Sequence, residues 1–252
     1  MLAPAAWRAI DFISDLHLAE DTPRTFEAWA HYLRHTSADA VFILGDLFEV
    51  WVGDDARLDG FEARCAAVLV DAAARRTVGF MVGNRDFLLG PAMLEACGVL
   101  ALADPTVFSA FGERVLLTHG DEMCIADIAY QQFRGVVRGA SWQRDFLARP
   151  LAERRATARA MRAESERRKM GSGPWFDVDR ATALAAMGDA AAPTLVHGHT
   201  HRPGNESLAP GMSRLVLSDW DLDHEPARAE VLRWQAKGFT RVAPAMARFD
   251  AG

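Results

Sequence analysis

Thr194-Leu195-Val196-His197-Gly198-His199-Thr200-His201-Arg202-Pro203 sets a β-rich run directly before three histidines in five residues. A buried strand accounts for the first three positions. It does not account for the rest, because side chains alternate along a strand and a core would have to satisfy three imidazoles. Working outward, the same arrangement recurs four times. Residues 10–14 precede Asp15-Leu16-His17, and residues 40–44 precede Gly45-Asp46. Residues 78–82 precede Gly83-Asn84-Arg85-Asp86, and residues 115–118 precede His119-Gly120-Asp121. Each block alone has a plain reading: an Asp at a strand end caps a helix, and Gly-Asn-Arg-Asp makes an ordinary turn. In order, they place a candidate metal ligand after each strand. The carboxyl ends of neighbouring strands in an α/β sheet share one crevice, so donors spread over about 185 positions can converge there.

The donor types are carboxylates, imidazoles and one amide oxygen, which suit Mn²⁺, Mg²⁺, Fe²⁺ or Zn²⁺. No cysteine lies in any block, which argues against a thiolate-selected metal. Two ions about 3.5 to 4 Å apart need a shared ligand. Asp46, on a tight turn after Gly45, is the natural bridge. A water shared by two such ions is deprotonated near neutral pH, so a phosphoester or pyrophosphate can be attacked without a protein nucleophile. No Gly-x-Ser-x-Gly elbow and no Walker-type loop offers another chemistry.

The 252 residues are 50% hydrophobic, enough for one large domain or a domain carrying an inserted piece. Cys65, Cys97 and Cys124 are unclustered, which favours a reducing compartment. Residues 1–10 carry only Arg8 as a charge and no apolar export segment, and no stretch of 18 apolar residues occurs. Cytoplasmic residence is therefore expected. The net charge of -6 is uneven: residues 131–170 hold eleven basic and four acidic residues, a net of +7. At helical spacing Arg154, Arg155, Arg159 and Arg162 share one arc opposite Ala152, Ala156, Ala160 and Ala163. A solvated charged face is the plain reading. Its position between the fourth and fifth blocks, where a short crossover would suffice, instead suggests a basic lid suited to an anionic substrate or lipid surface. Residues 25–36, 61–75, 91–97 and 177–190 read as helices, and His31, His35, His224, Trp51 and Trp142 read as packing or surface residues.

The five blocks resemble the signature of the calcineurin-like metallophosphoesterases. The stretches 45–55, 83–90, 119–121 and 197–203 further resemble the UDP-2,3-diacylglucosamine diphosphatases of lipid A biosynthesis. That resemblance implies an α/β metallophosphoesterase fold: a central β-sandwich flanked by helices in α-β-β-α layers, with a helical lid. Residues 1–125 and 190–252 would form the core and 126–189 the insertion over the active site. It also implies two divalent ions, Mn²⁺ first among them, with Asp15, His17, Asp46 and His199 holding one and Asp46, Asn84, His119 and His197 the other. Asp121 and His201 would stand behind these ligands as partners of imidazoles. Asn84, Arg85 and His197 would take part in catalysis, with Arg85 on the phosphate oxygens. Substrate contacts would fall on Asn84, Arg85, Asp127, Ser165, Lys169, Ser172 and His197.

The implied reaction releases UMP and 2,3-diacylglucosamine 1-phosphate by attack of metal-activated water at the α-phosphorus. Its partners would be the diacylated UDP-sugar and the anionic cytoplasmic face of the inner membrane, with neither nucleic acid nor an obligate protein partner. Trp142, Phe146, Leu147 and Leu151 are candidate walls of an acyl channel. Another nucleotide-diphosphate hydrolase, a metal-dependent nuclease and a non-catalytic scaffold are the alternatives. The acidic pI near 5.8 counts against the nuclease, and retention of all seven ligands against the scaffold.

Overall fold

The computed structural model describes residues 1–170 and 176–248, with side chains described through residue 161 and again from residue 176. The first hundred residues alternate strand and helix: β1 (Ile10–Ile13), α1 (Pro23–His35), β2 (Ala40–Leu44), α2 (Gly60–Ala73), β3 (Thr77–Met81), α3 (Pro91–Cys97) and β4 (Leu100–Ala101). Next come β5 (Thr106–Ala110) and β6 (Glu113–Thr118), then α4 (Ile128–Val137), α5 (Ala140–Leu147), α6 (Leu151–Met170) and α7 (Arg180–Asp189). The chain closes with β7 (Thr194–His197), β8 (Gly204–Ala209), β9 (Met212–Val216), β10 (Val231–Gln235) and β11 (Gly238–Val242).

The strands form two mixed sheets, ordered β11-β10-β1-β2-β3-β4 and β5-β6-β7-β9-β8. The β1–β2–β3 and β6–β7–β9 pairings are parallel. Parallel strands buried on both faces read as unbroken apolar runs, and β2 is Ala-Val-Phe-Ile-Leu with every residue buried. Alternation then sorts the side chains. Phe12, Phe42 and Leu44 join Phe108, Val115, Leu117, Val196 and Trp234 between the sheets. Ile13, Val41 and Ile43 face the helices with Trp29, Leu33 and Leu69. Each such large side chain contributes about 1.5–3 kcal/mol by leaving water. The donor-bearing strands are thus divided between two sheets, as the family resemblance implies, and the crevice lies where the carboxyl ends of both meet.

The segment between β6 and β7 is helical. Its last helix, α7, seats Ala183 and Met187 against Leu116 of β6 and Leu195 of β7, and so forms an outer layer of the second sheet. The earlier helices lean on the first sheet's loops. Arg138 donates to the Gly83 carbonyl at 2.9 Å and lies 5.4 Å over the Phe87 ring. Trp142 stacks on Phe146 at 4.8 Å and approaches Phe87 at 6.1 Å.

Two expectations for this segment are corrected. Arg154 does not belong to a free basic face: it is 3% exposed, binds both carboxylate oxygens of Asp55 and donates to the Val52 carbonyl. Arg155 likewise pairs with Glu62 at 3.1 Å. The arc that seemed to face outward is partly a tether to the core, because Asp55 and Glu62 stand opposite it. Phe146 is a core residue at 3% exposure, whereas Leu147 is 39% exposed, so only the latter offers itself as a channel wall. Trp51 is buried, as expected, and His31 and His35 sit on the exposed side of α1 with rings 4.2 Å apart. Among the described residues no helix is long and apolar enough to cross a membrane.

Candidate metal centre

Five of the seven non-glycine residues with positive φ among the described residues are Asp15 (54°), His17 (48°), Asp46 (52°), His199 (65°) and His201 (52°). Left-handed backbone costs an L-residue roughly 1–2 kcal/mol. Such strain persists where the surroundings impose it, typically at functional sites. Here the surroundings are specific. The main-chain N–H of His199 donates to Asp15 Oδ2 at 2.9 Å, and those of Leu16 and His17 donate to the Asp46 carbonyl at 2.9 and 3.1 Å. Gly45, at φ 89°, leaves room that a Cβ would take 2.5 Å from Nδ1 of His119. A Cβ on Gly198 would stand 2.3 Å from Asp15 Oδ2, so small residues allow the ligand turns to close.

Asp15, at the end of β1, and Asp46, at the end of β2, are almost fully buried. Asp46 turns one oxygen each way: Oδ1 lies 3.6 Å from Nε2 of His119 and Oδ2 lies 4.0 Å from Nε2 of His17. Its two oxygens thus face histidines that follow strands of different sheets. Two triads have donor atoms close enough to share an ion, Asp15–His17–His201 and Asp15–Asp46–His119, so Asp15 also belongs to both. Asn84 joins the second group, its Oδ1 2.9 Å from His119 Nε2 and 2.8 Å from His199 Nδ1. His197 ends β7; its Nδ1 meets the Gly198 carbonyl at 2.8 Å, while Nε2 is buried with no hydrogen-bond partner in the structure.

The histidines that follow Gly198 point different ways. His199 keeps only its backbone on Asp15 and sends its ring to Asn84. His201 stands with Asp15 and His17 instead, its Nε2 3.4 Å from Asp15 Oδ1. Asp121 is also not the imidazole partner anticipated. Its Oδ2 accepts from the Tyr130 hydroxyl and from Arg134 Nε, so it fastens α4 to the end of β6. The Leu44 carbonyl, 2.8 Å from Nδ1, orients His119 in its place. Asp127 caps α4 by accepting from the Tyr130 N–H at 3.0 Å. Ser165 and Lys169 lie on α6 with side chains outside the described set, and Ser172 lies outside the described residues.

Electrostatics fit a cation. Burial pulls His119 down, but the carboxylates of Asp46, Asp15 and Asp121 outweigh it and raise the imidazole to about 9. Burial lowers His17, His197 and His199 to about 4, leaving neutral rings with a lone pair to give. A carboxylate-rich, buried centre that recruits a proton, together with the unpartnered Nε2 of His197 and Oδ1 of Asp15, suits divalent ions.

Three residues assigned no role from the sequence complete the site. Asp86 is buried and accepts from the N–H groups of Leu47 at 2.8 Å and Gly83 at 2.7 Å, which clamps the β2 and β3 turns together. Burial and the neighbouring Asp46 charge raise it to about 7. Its place as the fourth residue of Gly83-Asn84-Arg85-Asp86 was the available signal. Asp219, just past β9, lies 3.5 Å from His201 Nδ1 and binds Arg228. An apolar run ending in Asp marks it too. Glu49 lies beside His17 and Arg85.

The calcineurin-like phosphoesterase family matches residues 9–203. Three curated relatives are UDP-2,3-diacylglucosamine hydrolases. The Chromobacterium violaceum protein is 47% identical over 84% of this chain and 90% of its own length. The Ralstonia nicotianae protein is 44% identical over 89% and 88%, and the Aromatoleum aromaticum protein 40% identical over 95% and 97%.

Proposed function

The chain belongs to the calcineurin-like phosphoesterase family, among the UDP-2,3-diacylglucosamine hydrolases, and from that premise we propose that it cleaves the pyrophosphate of UDP-2,3-diacylglucosamine to UMP and 2,3-diacylglucosamine 1-phosphate. The observation that carries this reading is the convergence of carboxylate, imidazole and amide donors from both sheets, in a chain at least 40% identical to these relatives over most of its length.

Two Mn²⁺ ions would be held by Asp15, His17, Asp46, Asn84, His119, His197 and His199, with His201 placed to replace or support His199 beside Asp15. When bound, such ions supply Lewis acidity: they activate a water and offset charge on the phosphates. The chain's own residues do the positioning. The N–H of Arg85 donates to Asp46 Oδ1 at 2.8 Å, which fixes this cation beside the donor cluster. Its guanidinium can meet two phosphate oxygens at once and stabilise charge as the bridging bond breaks. The leaving group is a phosphate, already a weak base, so charge neutralisation matters more than a strong general acid.

Three features support a lipidic substrate met at a membrane surface. Leu147 is exposed beside the Trp142–Phe146 stack, α4 exposes Ile128 and Val136, and Arg159 on α6 is solvent-facing. The direct test is UMP release from UDP-2,3-diacylglucosamine, UDP-glucosamine and a model phosphodiester, with Mn²⁺ present. Strong preference for the diacylated substrate is the expected result; preference for the phosphodiester would make the protein a nuclease.

A further inference from the structure

Among the described residues, the Glu49 side chain bridges the imidazole of a candidate metal ligand and the guanidinium of the candidate phosphate cation. Its Oε2 stands 3.2 Å from Nδ1 of His17, and its Oε1 stands 3.3 Å from Nη1 of Arg85. Its place is set by backbone. The Glu49 N–H donates to the Leu18 carbonyl at 3.1 Å, and the Leu18 N–H donates to the Leu47 carbonyl at 2.9 Å, so residues 47–49 run beside the turn carrying His17. Phe48 and Trp51, both 1% exposed, anchor that strip, and the Glu49 side chain is held at the site's edge, 16% exposed.

The two nitrogens of His17 face different surroundings. Nε2 lies 3.2 Å from Nε2 of His201 and 4.0 Å from both Asp15 Oδ1 and Asp46 Oδ2, all groups of the candidate metal centre. Nδ1 is buried with no hydrogen-bond partner in the structure, and the Glu49 carboxylate faces it as a charge 3.2 Å away. A carboxylate on that side favours the tautomer with its proton on Nδ1, which leaves the Nε2 lone pair for the cation. The second oxygen faces the Arg85 guanidinium, a long side chain that would otherwise lose rotamer freedom only on meeting substrate.

We infer that Glu49 is a positioning residue that sets both the tautomer of His17 and the direction of Arg85, joining cation binding to phosphate binding through one carboxylate. This inference rests on the function proposed above, and its test separates the two. Mn²⁺ affinity is measured by competition titration on metal-stripped wild type, Glu49→Ala, Glu49→Gln and Arg85→Ala, alongside melting temperature. UMP release is then followed at saturating Mn²⁺, with Glu49→Ala/Arg85→Ala added.

Glu49→Ala is expected to weaken Mn²⁺ binding about 10- to 100-fold, and Arg85→Ala to leave it unchanged. Glu49→Gln, which keeps one acceptor and the side chain's shape, should fall between and control for folding. At saturating Mn²⁺ the double variant should turn over no more slowly than Arg85→Ala alone, because Glu49 then acts only through Arg85. Wild-type Mn²⁺ affinity in both Glu49 variants would overturn the His17 half, and multiplicative rate losses the Arg85 half. Failure of wild type to release UMP would strike the proposed reaction instead, leaving the Mn²⁺ titration to judge Glu49.

Discussion

Oδ1 of Asn84, carried by the first sheet, lies 2.9 Å from Nε2 of His119, carried by the second. The two sheets therefore share their site at the level of single atoms, and neither half is a metal centre alone. Asp46→Ala or His119→Ala should abolish turnover, and metal removal by EDTA should do the same until Mn²⁺ is restored. Inductively coupled plasma measurements on dialysed protein check it. Full activity in metal-free protein would end the two-ion reading.

Arg85→Ala should leave metal content intact and lower kcat by roughly 10²- to 10³-fold, the usual effect of removing one donor from a developing charge. A rise in KM alone would make Arg85 a substrate anchor and no more.

Proton linkage gives the metal-stripped protein a stability maximum. His17, His197 and His199 titrate near 4 when folded against about 6.5 when unfolded, so the unfolded chain binds more protons between those values and stability rises with pH there. His119, raised to about 9, does the reverse: its contribution is complete below about 6.5 and is lost as pH climbs through 9. Asp86, raised to about 7, opposes the three histidines below that pH without outnumbering them. The melting temperature of the stripped protein should peak near pH 6.5, and added Mn²⁺ should flatten the alkaline limb because the ion displaces the His119 proton. A stripped protein whose stability keeps rising to pH 9 would contradict this.

The attachment of α6 can be tested apart from chemistry. Arg154→Ala removes two bonds to Asp55 and one to Val52, so protease should cut within residues 151–161 sooner while the core stays folded. Hydrogen bonding by Arg154 holds the Asp55 carboxyl below its ordinary value, so this attachment persists at neutral pH and loosens as pH falls through that lowered value. Leu147→Asp, on the exposed side, should slow cleavage of the diacylated substrate far more than of a soluble pyrophosphate analogue. Phe146→Asp should instead cost the fold several kcal/mol. Neutralising exposed Arg159, in contrast to Arg154, should weaken sedimentation with anionic vesicles at low salt.

The strands and the donors that follow them could be read from residue order, since a run such as Ala40–Leu44 is apolar throughout only if both faces are covered. The direction in which each side chain points could not. His199 and His201 are two apart, and the left-handed turns that send one to Asn84 and the other to Asp15 leave no trace in composition. Charge periodicity likewise reported the arc containing Arg154 and Arg155 but not the acids facing it, because Asp55 and Glu62 lie far away in sequence and sheet packing alone brings them near.

Five residues of the candidate metal centre sit where glycine would rest more easily, and this sets the chemistry of the site against the durability of its scaffold. Replacing His17 or His199 by Gly should relieve backbone strain and raise the melting temperature of the metal-stripped protein relative to the corresponding Ala variant, even as turnover disappears. The same backbone turns that aim the donors inward are thus held against their own preference by the surrounding hydrogen bonds, so the scaffold carries the cost of the site even when no ion is bound.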